Sequence, residues 1–137
     1  MSIWYDWRDD GADPKDPEHH FGLVRNAYQS GRDPVYEPKP AYRAAKTLSE
    51  CFSGYVFQQR LSAGADDYVL VFAKGADRRL AAWTTSSAHR LNIPPGIPTA
   101  NGDFRVIRHT DESAGLASAG PQGISIEVLA RPVYLVP

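Results

Sequence analysis

The chain has 137 residues, of which 42% are apolar and 23% charged, with a formal net charge of −1. That length fits one ordinary domain, and the apolar share is enough to bury a core, which excludes wholesale disorder. The near-neutral balance and the scattered basic residues give no electrostatic reason to expect nucleic acid or an anionic membrane as partner.

The chain opens on Ile3-Trp4-Tyr5-Asp6-Trp7-Arg8-Asp9-Asp10-Gly11, with large aromatics at Trp4, Tyr5 and Trp7. This pattern predicts a short buried strand that ends in a polar turn. Asp9 to Pro17 is a loop, because Gly11, Pro14, Pro17 and repeated Asp prevent regular structure. Asp16-Pro17-Glu18 is suited to start a helical turn, with Asp16 as N-cap and Pro17 at the first helical position. Phe21 to Val24 reads as a brief extended segment, and residues 29–40, with Gly31, Pro34, Pro38 and Pro40, as loop.

From Pro40 the spacing of Ala41, Tyr42, Ala44, Ala45, Leu48 and Phe52 is helical, and Gly54 suits the position just past a helix end. The pattern therefore predicts a helix over residues 40–52. Beyond Gly54 the period drops to two, with turn residues about every ten positions, as in an antiparallel sandwich. Strands are expected near Tyr55 to Leu61, Asp67 to Lys74, Arg78 to Thr84, His89 to Ile93, Phe104 to His109 and Ser125 to Ala130. Val133 to Val136 is expected as a last, edge strand. Tyr68, Leu70 and Phe72 alternate with Val69 and Val71, so that strand is apolar on both faces and belongs inside a sheet. Gly75-Ala76-Asp77 makes a hairpin turn, Asn92 to Gly102 a long irregular connection, and residues 110–123 an exposed segment with one weak strand. The expected fold is mainly β: an antiparallel β-sandwich of about seven to eight strands with one α-helix and an irregular N-terminal arm.

Three blocks carry a family resemblance: Trp4-Tyr5-Asp6-Trp7-Arg8-Asp9-Asp10-Gly11, then Glu18-His19-His20-Phe21-Gly22-Leu23-Val24, then Pro38-Lys39-Pro40-Ala41-Tyr42-Arg43-Ala44. Their order resembles the last strand, last loop and last helix of TIM-barrel glycoside hydrolases of the cellulase and β-xylosidase type. The resemblance implies residues 1–53 as the end of such a barrel and residues 54–137 as the small accessory β-sandwich that follows it. A whole barrel takes about 250 residues, so the chain would hold only its closing part. The implied partner is the missing barrel domain.

The resembled enzymes take their two catalytic carboxyl groups from barrel strands four and seven, which lie outside this chain. Asp6, Asp9, Asp10, Asp13 and Asp16 are accordingly read as a solvated loop, and no catalytic residue is assigned. The resemblance does imply a sugar platform, since the eighth strand of such barrels commonly ends in a tryptophan under a pyranose ring. Trp4 and Trp7 are three apart and fall on opposite faces of a regular strand, so one of them points inward, with Trp4 the first choice.

Other candidates are weaker. Trp83, with Tyr68 and Tyr55, could form an aromatic sugar-binding row on the sandwich, although single tryptophans in sandwiches more often pin a core. His19 and His20 are adjacent and point apart in an extended segment, and the Asp spacing does not match a calcium loop, so no metal is expected. Cys51, the sole cysteine, allows no internal disulfide and reads as a small buried thiol without an oriented base nearby. Gly120-Pro121-Gln122-Gly123 lacks the following helix of a phosphate loop. No cofactor is expected. No apolar run reaches the ~18 residues of a membrane span, and the start lacks the regions of a signal peptide. Three functional readings follow: a non-catalytic accessory region of a glycoside hydrolase-like protein, a carbohydrate-binding module, and a small stand-alone protein that buries its opening strand by forming a homodimer.

Overall fold

The computed structural model describes residues 5–95 and 102–137, so Trp4 lies outside the described residues. The chain divides into two compact units, Met1–Lys46 and Thr47–Pro137. Among the described residues are ten β-strands in antiparallel sheets, one α-helix and one short 3-10 helix.

In the first unit, the 3-10 turn Pro17–His20 is capped as its sequence predicts, the Asp16 carboxylate accepting from the Glu18 N–H. Strand β1 (Val24–Tyr28) then pairs antiparallel with β2 (Tyr36–Pro38), with Tyr28 opposite Tyr36 and Val24 opposite Pro38. β2 falls where the prolines predicted only loop. Proline lacks an N–H to donate, but at the end of a two-stranded ribbon that donor is not required. The opening stretch departs from expectation in the other direction. Residues 5–10 contain no strand, only an isolated parallel bridge from Arg8 to Val24, and Tyr5 and Trp7 are 67% and 51% exposed rather than buried. Backbone bonds tie this stretch to residues 21–24, and Tyr5 and Trp7 meet Phe21 and Tyr42 only edge to face, so much of each ring stays exposed.

Helix α1 spans Pro40–Phe52 and ends at Gly54, whose φ of +77° suits a residue without Cβ. The second unit carries eight strands: β3 (Val56–Leu61), β4 (Asp67–Lys74), β5 (Asp77–Thr84), β6 (His89–Ile93), β7 (Asp103–Arg108), β8 (Ser113–Ser118), β9 (Ile124–Val128) and β10 (Val133–Val136). They form a six-stranded sheet of order β3-β4-β5-β10-β7-β8 and a two-stranded sheet β6-β9. The sheets pack face to face as a sandwich. Between them lies a core of Val69, Val71, Leu80, Ile93, Phe104, Ile124, Val128, Val133 and Leu135, among others. On the outer face of the large sheet, Cys51 and Phe52 from the end of α1 pack with Ala81, Phe72, Tyr134 and Val136. The Phe52 ring meets Phe72 at 4.6 Å and Tyr134 at 5.3 Å between centroids.

β10 is not the edge strand its position at the end of the chain implied. It lies between β5 and β7, with all four residues buried. Val-Tyr-Leu-Val has no polar residue to turn toward solvent, so the only favourable place for it is a strand covered on both faces. Val133 and Leu135 face the inter-sheet core, and Tyr134 and Val136 the helix side. β4, expected to be apolar on both faces, is likewise internal, with Val69 and Val71 toward the core. No helix among the described residues is long and apolar enough to cross a membrane.

One polar clamp joins the two sheets. His89 on β6 places Nε2 3.3 Å from the carboxylate of buried Asp67 on β4, while its Nδ1 lies 2.9 Å from the Ser87 carbonyl. The bond to Ser87 and the Asp67 carboxylate together hold the imidazole pKa above its ordinary 6.5, against a smaller opposing effect of burial. A raised folded pKa means that the clamp stabilises fully below about pH 6.5 and is lost as pH rises through the folded value.

Two outcomes test this architecture. Phe104→Ala should lower unfolding free energy by about 3–5 kcal/mol, whereas Leu116→Ala, at a residue 74% exposed, should stay within about 0.5 kcal/mol in the same urea titration. His89→Gln should weaken the chain more at pH 5.5 than at pH 8.5; an equal loss at both pH values would contradict the clamp.

Candidate functional site

The three sequence blocks meet around one buried carboxylate. Asp9 is 4% exposed, and its Oδ1 accepts from Lys39 Nζ at 2.8 Å and from the Gly22 N–H at 3.0 Å. Lys39 also donates to the His20 carbonyl at 2.7 Å. A buried charge persists only when paired and hydrogen-bonded, and here each block supplies one part of that satisfaction. Backbone bonds complete the join: Asp9 N–H to the Val24 carbonyl, Val24 N–H to the Trp7 carbonyl and Lys39 N–H to the Leu23 carbonyl. Gly22 is required by this approach, since a Cβ there would stand 2.1 Å from the Asp9 nitrogen.

Asp9 is thus not part of a solvated loop. Sequence reasoning grouped it with its acidic neighbours by composition. The available signal was a lysine held between two prolines in the third block, a cation in search of a fixed anion. The other acids serve the turn: Asp16 caps it, and the Asp13 carboxylate accepts from the Lys15 N–H. His19 Nδ1 accepts from the Asp13 N–H at 3.2 Å, and His20 Nε2 lies 2.9 Å from the Asp13 carbonyl. Both imidazoles therefore tie the loop together. Among the described residues no group of three or more His, Cys, Asp or Glu side chains is placed to hold a metal ion.

Beside this anchor lies an open cleft of about 320 Å³ lined by Asp6, Trp7, Arg8, Asp10 and Tyr36. The Trp7 indole packs edge to face on Tyr42, 5.7 Å between centroids, and remains half exposed. Arg8 donates to the Tyr36 hydroxyl at 2.8 Å and lies 5.1 Å from the centre of that ring, while Tyr36 in turn meets Tyr28 edge-on. The Asp6 carboxylate accepts from the Trp7 N–H. Asp10 and Glu18 push the phenol pKa of nearby Tyr5 upward. A planar aromatic with carboxylate and guanidinium neighbours suits a polar ring whose C–H face lies on the indole.

The sandwich aromatics are arranged differently. Trp83 is half-buried and stacks on Tyr68, 4.9 Å between centroids and 6° from parallel. The other side of this pair carries Arg60, 4.0 Å from the Tyr68 ring centre. Tyr55 bonds Asp77 through its hydroxyl and has Arg79 4.3 Å from its ring centre. Cys51 is buried and free, and burial raises its thiol pKa.

Neither a protein-family profile nor a curated protein matches the chain. A solved structure does: a family 39 glycoside hydrolase from the gut symbiont Bacteroides cellulosilyticus WH2, with a TM-score of 0.71 and 28% sequence identity. The match covers 97% of this chain, which spans only 25% of that one. The chain is thus similar to one portion of a glycoside hydrolase.

Removing one partner of a buried ion pair costs about 3–5 kcal/mol, and the partly exposed lysine places this pair near the lower end. Lys39→Met or Asp9→Ala should therefore accelerate hydrogen exchange at the Gly22 and Val24 amides by about a hundredfold or more, equivalent to about 3 kcal/mol. Unchanged protection at these amides would rule out the anchor.

Proposed function

We propose that this chain is the non-catalytic C-terminal portion of a glycoside hydrolase-like protein. In this reading residues 1–53 are the closing strand, loop and helix of its barrel, and residues 54–137 are an accessory sandwich. The single observation that carries it is the 28% identity extending over 97% of this chain and only a quarter of the hydrolase. The half-exposed aromatics of the first unit support it. Tyr5, Trp7 and Phe21 leave apolar surface uncovered in this chain, as the last stave of a barrel would without the preceding ones.

One of Trp4 and Trp7 would then form a sugar platform at the C-terminal end of that stave, with Arg8 and Asp10, which line the cleft beside Trp7, reaching the hydroxyls. The acid pair that cleaves the glycosidic bond would come from the rest of the barrel. The partner is therefore barrel protein that covers the exposed aromatics. Burial of some 600–1,500 Å² is normal for contacts between domains of one chain.

The purified chain should release no nitrophenol from aryl β-xylosides or β-glucosides above the uncatalysed rate. It should also bind a family 39 hydrolase from which the matching quarter has been deleted, and Trp7→Ala should weaken that binding at least tenfold. Turnover by the chain alone, or failure to bind the truncated hydrolase, would refute the reading.

A further inference from the structure

Strand β3 forms one edge of the six-stranded sheet, so among the described residues one row of its backbone N–H and C=O groups has no strand beside it. Natural sheets blunt such edges with proline, with charge or with very short strands. β3, Val-Phe-Gln-Gln-Arg-Leu, has six residues, no proline and Arg60 as its one charge. That charge is folded back: the guanidinium lies 4.0 Å from the Tyr68 ring centre and donates to the Asp67 carbonyl at 3.2 Å. At the same edge Val56 is 69% exposed and Phe57 58%, the Phe57 ring meeting Phe72 edge-on. The other edge strand, β8, leaves extended backbone at Gly115, whose φ is +99°, and is a poorer template for pairing.

Pairing with β4 fixes which way each β3 side chain points. Val56, Gln59 and Leu61 sit opposite Ala73, Val71 and Val69, on the side of the inter-sheet core, whereas Phe57 and Arg60 sit opposite Phe72 and Leu70, on the outer side. The register shift between Phe57 and Gln59 puts these two residues, three apart, on one face, where a regular strand would put them on opposite faces. Two antiparallel copies of β3 related by a two-fold axis perpendicular to the sheet must place like faces together. Setting Phe57 opposite Arg60 of the second copy does so, and it also sets Val56 opposite Leu61, so that outer meets outer and inner meets inner. A slip of one residue either way sets Phe57 against Gln59 or Leu61 and mismatches the faces.

We propose that the second unit associates with a second copy of itself through β3, joining two six-stranded sheets across a two-fold axis. The pairs are complementary and, by symmetry, each is made twice. Val56 on Leu61 is an apolar contact, and Phe57 on Arg60 sets an aromatic ring beside a guanidinium and its stem. A strand edge takes a strand as partner, and the outside of a TIM barrel is a ring of helices, so a barrel does not satisfy this backbone row. Six residues a side fall short of a standard interface of about 1,200–2,000 Å², which makes the dimer weak, with a Kd on the order of 100 µM. This inference concerns the sandwich alone and does not depend on the barrel reading.

The test is sedimentation equilibrium of the 137-residue chain across that range, from about 10 µM to about 1 mM, with hydrogen exchange measured at both ends. Monomer should pass to dimer, and the amides of residues 56–61 should exchange more slowly at the higher concentration. Two substitutions at exposed Phe57 test the register. Phe57→Lys puts a cation opposite Arg60 and should weaken association by about tenfold or more. Phe57→Glu removes the same ring but puts a carboxylate there, and should associate about tenfold more tightly than Phe57→Lys. A chain that stays monomeric throughout, a dimer whose slowed amides lie outside β3, or equal association of the two variants would each overturn the proposal. So would protection of residues 56–61 that arises only on adding the truncated family 39 hydrolase, since the barrel would then be the occupant.

Discussion

The N-terminal unit depends on one buried carboxylate. Asp9 draws Lys39 and the Gly22 amide onto the same oxygen, and Lys39 closes the circuit on the His20 carbonyl. Three stretches with little regular structure of their own are thereby held in one arrangement, which a unit this poor in buried apolar side chains could not achieve by packing. Val24 is its sole fully buried large apolar side chain among the described residues. The electrostatic anchor substitutes for a core, and it fixes the backbone from which Trp7 and Arg8 project.

The sandwich is organised by the opposite principle. Its centre is apolar, and β10 makes that possible by threading between β5 and β7 so that each of its residues is covered. The large sheet therefore has an apolar layer on each face, one shared with β6-β9 and one with the end of α1. Polar groups enter this scheme at few places, among them fully buried Thr84, whose hydroxyl donates to the Asp66 carbonyl at 3.3 Å. The His89–Asp67 clamp is another such contact, His89 Nε2 lying 3.3 Å from the buried Asp67 carboxylate, whose Oδ1 has no hydrogen-bond partner among the described residues.

The functional reading joins these observations to the likeness with a family 39 glycoside hydrolase, a quarter of whose chain this one matches. The uncovered aromatics at Tyr5, Trp7 and Phe21 acquire a physical reason if another part of a barrel normally lies against them. In the sandwich, Tyr68 is covered by Arg60 on one side and Trp83 on the other.

Much of the fold was legible because the signals were local. Helical spacing with a following glycine defined α1 to the residue, an Asp-Pro pair located the 3-10 turn, and alternation located seven of the eight sandwich strands within a residue or two, β8 being expected only as a weak strand somewhere in residues 110–123. Local signals could not say which strand sits in the middle of a sheet, because that depends on what covers each face. Nor could they show that Asp9 differs from Asp10, since its burial is decided by a lysine thirty positions away. The amino-acid order determined the elements, through backbone preferences and hydrophobic period. Only the tertiary structure decided the pairing of Asp9 with Lys39 and the central place of β10, because each arises from groups far apart in the chain.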